Sequence, residues 1–224
     1  MPPGPEGRIA PYRHESAGLS SVAAYQVDAS PALVVLHGLL ELAPRRPALL
    51  ISGINFGENL GSDTTVSGTV GAALQGAVGG IPSMAVSLQT PKETHVNHSN
   101  DVDFSAALHF TRLFARLMLR VQLPFDVDVL KIDVPGDATT ETPWRLTRTS
   151  RRSGFDPIPP DPNSTDSTVM DYESTRHPEQ AEVDSDLYAL RVKHIVAIAP
   201  LSLDMTSRAD FGEIESLLRG PAAR

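Results

Sequence analysis

Residues 48–88 read ALLISGINFGENLGSDTTVSGTVGAALQGAVGGIPSMAVSL, and this stretch decides the fold. ALLIS (48–52) is a short apolar run between Pro47 and Gly53, the composition of a strand buried on both faces. A loop, GINFGENLG (53–61), follows, with Gly53, Gly57 and Gly61 spaced by four. Residues 67–79 are small and helix-compatible, and Ala72, Ala73 and Ala77 permit close packing on a sheet. IPSMAVSL (81–88) is a second apolar strand. Strand, loop, helix and strand in that order make a βαβ unit with a right-handed crossover.

The same alternation extends outward in both directions. Upstream, 31–42 reads as a helix with Ser30 as N-cap and Pro31 at the first helical position, stopped by Pro44 and Pro47. Downstream, 103–121 carries Ala107, Phe110, Phe114, Leu117, Met118 and Val121 at helical spacing, and Pro124 ends it. VDVLKIDV (127–134) is a strand closed by Pro135; WRLTRT (144–149) alternates as a half-buried strand. Residues 153–168, rich in Pro, Asp and Ser, read as a loop or extended arm, 184–191 as a helix or turn, and HIVAIAPL (194–201) as a last strand. The sum is one α/β layered domain over 1–208 with a mostly parallel sheet, followed by a tail at 209–224.

Composition narrows the function. The chain has 224 residues, with 27 Asp and Glu against 19 Lys and Arg, a net charge of −8. An acidic balance argues against nucleic acid or an anionic membrane as partner, whose binding footprints are basic. Any anionic substrate must be held locally, by a metal or backbone amides. The absence of cysteine excludes disulfides, thiolate metal sites and cysteine nucleophiles, and accords with a cytoplasmic protein. No apolar run reaches the ~20 residues that span a bilayer, and the first residues lack the apolar core of a signal peptide.

In α/β sheets ligands bind at the carboxyl ends of strands, the position the 53–69 segment occupies. Asn55 and Asn59 offer amide oxygens there and Asp63 a carboxylate, while Ser67-Gly68-Thr69 opens a helix. Free N–H groups and the dipole make such a helix start an anion site. The plainer reading is a tight turn with Ser67 only capping the helix. Neither GxGxxG nor GxxxxGK[ST] is present. His95 and His98 form an H-x-x-H in a polar turn, a metal pair or simply a surface loop. Arg145, Arg148, Arg151 and Arg152 form a basic cluster, either a phosphate attractor or a solvated strand edge. Asp63 either supports a metal ligand from behind or caps the turn.

ALLISGINFGENLG…VSGTVGAALQGAVGGIPSMAVSL closely resembles the signature of the survival protein SurE family, metal-dependent phosphatases of nucleoside 5′- and 3′-monophosphates. APYRHESAG resembles the family's Ala-Pro-x-x-x-x-Ser turn, and YQVDASPALVVLHGLLEL its Tyr-x-Val-x-Gly-Thr-Pro helix, with Ala29-Ser30-Pro31 at the last three positions. LKIDVP, WRLTRTSRR and APLSLDMT are similar to its later strands and terminus, so the resemblance covers roughly residues 8–208. It implies a three-layer, Rossmann-like, mostly parallel sheet with a C-terminal β-rich extension or arm, and one divalent cation, Mg²⁺ or Mn²⁺. By that resemblance Ser16 and Asn55 are metal ligands, and Ser67, Gly68 and Thr69 line the phosphate pocket. A homodimer or homotetramer exchanging C-terminal segments is implied as well, with 153–168 and the tail after Thr206 as candidate arms.

The chain departs from the family at one place. The metal-binding aspartate pair of an Asn-Asp-Asp-Gly motif has no counterpart: no Asp-Asp dipeptide occurs, and the first aspartate is Asp28. Alignment on Ser16 suggests that some two dozen residues are absent in front. Hard cations on phosphate want carboxylate oxygens. Catalytic groups are therefore unassigned, and two readings stand: a nucleotidase whose sequence starts late, or a non-catalytic member that binds nucleotide or phosphate or serves as an oligomer partner. On either, loss of the first strand predicts an unpaired sheet edge and an uncovered apolar face.

Overall fold

The computed structural model describes residues 7–12, 22–95, 101–159 and 171–220. In chain order it contains β1 (Arg8–Tyr12), β2 (Ala24–Asp28), α1 (Pro31–His37), β3 (Leu50–Phe56), α2 (Gly68–Val78), β4 (Ser83–Leu88), α3 (Ser105–Met118), β5 (Val129–Val134), β6 (Trp144–Leu146), β7 (Phe155–Ile158), β8 (Asp171–Ser174), α4 (Asp186–Arg191), β9 (Val196–Leu201) and α5 (Phe211–Arg219). The central sheet has the order β3-β4-β5-β9-β6. β3, β4 and β5 run parallel, β9 is antiparallel to β5, and β6 is parallel to β9. The sheet is thus mostly parallel, with helices on both faces.

Side-chain alternation assigns the layers. Met84, Val86 and Leu88 of β4 and Leu130, Ile132 and Val134 of β5 pack with Phe110, Phe114 and Met118 of α3. From the opposite face Ala85 and Val129 meet Val70 and Ala73 of α2. All six residues of β4 and of β5 are buried, which is why both read as near-continuous apolar runs. β3 stands at the edge, paired with β4 alone among the described residues, and its Ile51 is 43% exposed.

Several boundaries differ from those expected. The segment 53–61 is not a loop throughout: β3 runs on to Phe56, because Asn55 and Phe56 pair with Ser87 and Leu88 after a register shift. The Gly53–Ile54 peptide is cis. The 31–42 helix is α-helical only to His37, then widens into a π-turn over Gly38–Leu42. The 144–149 strand ends at Leu146, because Arg148 bonds with Asp184 and Asp186 instead of with β9. Part of 153–168 is β7, which pairs with β8 in an antiparallel hairpin; 160–168 lies outside the described residues. The tail contains α5, capped by Asp210, whose side chain accepts the Glu213 N–H. Among the described residues no helix is long and apolar enough to cross a membrane.

Candidate active site

The end of β3 and the start of α2 lie towards the same end of the sheet, since α2 runs back across it between β3 and β4. The Asn55 amide nitrogen donates to the carbonyls of Phe56 (3.2 Å) and Gly57 (2.8 Å). This fixes the side chain and leaves its oxygen as the group able to ligate. Ser67 is the N-cap of α2, its hydroxyl accepting the Val70 N–H at 3.1 Å. The N–H groups of Gly68 and Thr69 have no acceptor within the helix, the condition for holding an anion. Gly68 has a packing reason of its own: a Cβ there would lie 3.0 Å from Pro31 Cγ, so α1 starts directly against α2. Ser67 therefore caps its helix, as the plainer reading has it.

The connecting loop is held from beneath by buried charge that the sequence reading did not single out. Lys131 and Asp133 lie on the α2 face of β5, and Asp186 opens α4; all three are fully buried or nearly so. Lys131 ion-pairs with Asp133 and, at 2.9 Å, with Asp186, and its ammonium donates to Asn59 O at 2.7 Å. Asp133 Oδ1 accepts the Asn59 N–H (2.8 Å), and Asp186 accepts the N–H groups of Gly61 (3.1 Å) and Ser150 (2.9 Å). Burial by itself lowers the Lys131 pKa, but the two aspartates outweigh it and raise it; burial raises Asp133 to about 6 against the pull of Lys131. Gly61 permits the approach, with φ +54° and a Cβ position only 1.9 Å from Arg152 O. The visible signal was two charged residues in the otherwise apolar VLKIDV.

The remaining candidates have structural partners. Asn59 donates its side-chain amide to Ser87 Oγ at 2.7 Å, so it anchors the loop. Asp63 accepts from Ser153 Oγ (2.6 Å) and Gly154 N (2.8 Å), tying the loop to the arm. His95 spends both ring nitrogens, on Tyr172 Oη (2.8 Å) and Thr90 O (3.2 Å). Burial lowers its pKa. It pins the β7–β8 hairpin, and His98 lies outside the described residues. Arg145 donates to the carbonyls of Val183 and Ser185, and Arg148 to Asp184. Both brace the segment before α4; Arg151 and Arg152 are exposed.

As a metal centre the described residues are incomplete. Asn55 supplies one neutral oxygen, Ser16 lies outside the described residues, and no group of three or more His, Asp or Glu able to hold a metal is found among those described. A hard divalent cation needs carboxylates that are not shown here.

A mostly parallel α/β sheet with a helix start at the carboxyl end of a strand defines an α/β domain of the Rossmann-like class. The particular family follows from comparison: the profile of "Survival protein SurE" matches residues 8–155, and the chain belongs to that family. It is 36% identical over 197 residues to a 5′-nucleotidase SurE of Thermococcus gammatolerans, covering 88% of this chain and 73% of that protein. With the 5′-nucleotidase SurE of Archaeoglobus fulgidus identity is 34% over 216 residues, covering 94% and 79%. Among solved structures, the SurE protein of Aquifex aeolicus superposes with a TM-score of 0.67 at 28% identity, covering 87% of this chain and 75% of that one.

Proposed function

We propose that this chain is a phosphoric monoester hydrolase acting on nucleoside 5′-monophosphates, and secondarily on 3′-monophosphates, in the cytoplasm. The observation that carries the reading is the capped helix start at Ser67-Gly68-Thr69, in a family whose curated relatives bear the name 5′-nucleotidase, with the Asn55 amide fixed at the end of the preceding strand. The phosphate sits at the start of α2. There the N–H groups of Gly68 and Thr69 and the Thr69 hydroxyl donate to its oxygens and stabilise the charge that grows as the ester bond breaks. The buried Lys131–Asp133–Asp186 cluster keeps the 57–61 loop from shifting under that load. A bound Mg²⁺ or Mn²⁺ supplies charge neutralisation and an activated water in such a reaction. Asn55 and Ser16 are the residues we assign to it, and charged ligands must come from beyond those described. We further propose a homodimer or homotetramer.

The test is hydrolysis of AMP by the 224-residue chain with Mg²⁺ or Mn²⁺, beside an Asn55→Ala/Ser67→Ala double variant. Metal-dependent release of phosphate that falls at least ~100-fold in the double variant supports the assignment, a loss typical of removing groups that stabilise the transition state. Equal rates in both proteins overturn it. The single neutral ligand at the site favours the second reading, a phosphate-binding member without turnover, as the outcome in that case.

A further inference from the structure

His95 has no part in the proposed reaction, yet its ring touches the loop that fixes Asn55. It follows the short turn Lys92–Thr94, and the Nε2 end of the ring lies against Gly57, which is buried. A Cβ at Gly57 would stand 2.7 Å from His95 Nε2, and φ there is +94°, so glycine alone admits both the contact and the turn. The Gly57 carbonyl accepts the Asn55 amide at 2.8 Å, and the Gly57 N–H donates to Leu88 O at 2.8 Å. A glycine carbonyl swings easily, because no side chain restricts the dihedrals beside it. The Leu88 bond fixes the peptide plane before Gly57. The His95 ring, packed against Gly57, bars the shift that would carry its carbonyl away from Asn55.

The ring is itself held by the β7–β8 hairpin. Thr90 O can only accept, so His95 Nε2 carries the proton in their 3.2 Å contact. Burial lowers the His95 pKa and the ring is neutral, so Nδ1 accepts the Tyr172 hydroxyl proton at 2.8 Å. Phe155 of β7 and Tyr172 of β8 close on the ring, each with its centroid 6.0 Å away. Two ion pairs keep the hairpin there. Lys92 pairs with Asp171 and stands 5.0 Å over the Tyr172 ring. Arg191 pairs with Glu58, the neighbour of Gly57, and stands 5.6 Å over the Phe155 ring. The hairpin, His95, Gly57 and Asn55 thus form one chain of contacts.

We propose that His95 is a positioning residue: the β7–β8 hairpin presses its ring on Gly57, and the Gly57 carbonyl is thereby kept where it aims the Asn55 side chain. What Asn55 does for the substrate rests on the nucleotidase reading; its orientation does not. The test is nuclear magnetic resonance on the 224-residue chain, reading exchange with water of the Asn55 side-chain amide protons, which are assigned by their loss in Asn55→Ala. His95→Ala removes the ring. Tyr172→Phe removes only the hydroxyl that holds it, 77 positions along the chain, and leaves the loop untouched. Exchange at Asn55 is expected to rise about tenfold in His95→Ala and about threefold in Tyr172→Phe, on the scale of one weakened hydrogen bond. Asn59, whose amide donates to Ser87 Oγ, is the internal reference and is expected to stay unchanged. Unchanged exchange at Asn55 in both variants overturns the proposal. An equal rise at Asn59 also overturns it, since that marks general loosening. In AMP hydrolysis His95→Ala is expected to lower kcat/KM about tenfold in the unsubstituted chain and to cost nothing further in Asn55→Ala, because both act through one group. Losses that simply add overturn the proposal. The exchange pattern in a chain that hydrolyses no AMP supports the positioning role and sinks the nucleotidase reading instead.

Discussion

Lys131 shows what a single residue can decide. Its ammonium is the positive charge of a buried cluster with Asp133 and Asp186, and it also holds the carbonyl of Asn59. Lys131→Met keeps the volume but leaves two buried carboxylates without their cation. A loss of about 3–5 kcal/mol in unfolding free energy is expected, read from a urea titration. A loss below about 1 kcal/mol would show that the cluster is not what holds the loop. Asn55 and Gly68 could be singled out from sequence as candidates because their motif is local. Lys131 was not, because its two carboxylates come from positions 133 and 186, and only the sheet brings the second within 2.9 Å.

At the scale of elements, β3 and α5 are the unfinished parts of the molecule. β3 has no partner on its outer side among the described residues, and its open flank forms a groove with Pro31, Val34 and Val35 of α1. α5 exposes Phe211, Leu217 and Leu218. An unpaired strand edge and a bare apolar helix face both favour association. The 224-residue chain is therefore expected to elute as an oligomer or aggregate in size-exclusion chromatography with light scattering. A monodisperse monomer that melts cooperatively would contradict this. Periodicity located α2, α3, β4 and β5, which carry their own apolar patterns. It did not find the continuation of β3 through Gly53–Phe56, because glycine and asparagine are poor strand formers and only pairing with Ser87 and Leu88 makes them extended.

For the whole molecule, the net charge of −8 hides a division between surface and interior. Two interior acids bind their protons more tightly when folded: burial raises Glu58, although Arg191 opposes it, and raises Asp133 from 3.8 to about 6. A carboxyl whose pKa is raised by folding binds more protons in the native state, so its contribution to stability falls as pH rises from its unfolded value through its folded one. Unfolding free energy is expected to decline for this reason between about pH 4 and 6.5. Asp133→Asn, which cannot titrate, is expected to flatten that decline in urea titrations at a series of pH values. An unchanged slope would place the proton elsewhere.

Sequence alone determined the family, the βαβ frame around residues 48–88 and the helix start at Ser67, because each depends on neighbours within a few positions. Only the tertiary structure decided what lies under and beside that frame. The charged cluster beneath the loop and the hairpin pinned by His95 join residues from across the chain. Such contacts carry no local periodicity; they exist because burial forces each desolvated charge and polar atom to find a partner wherever the fold places one.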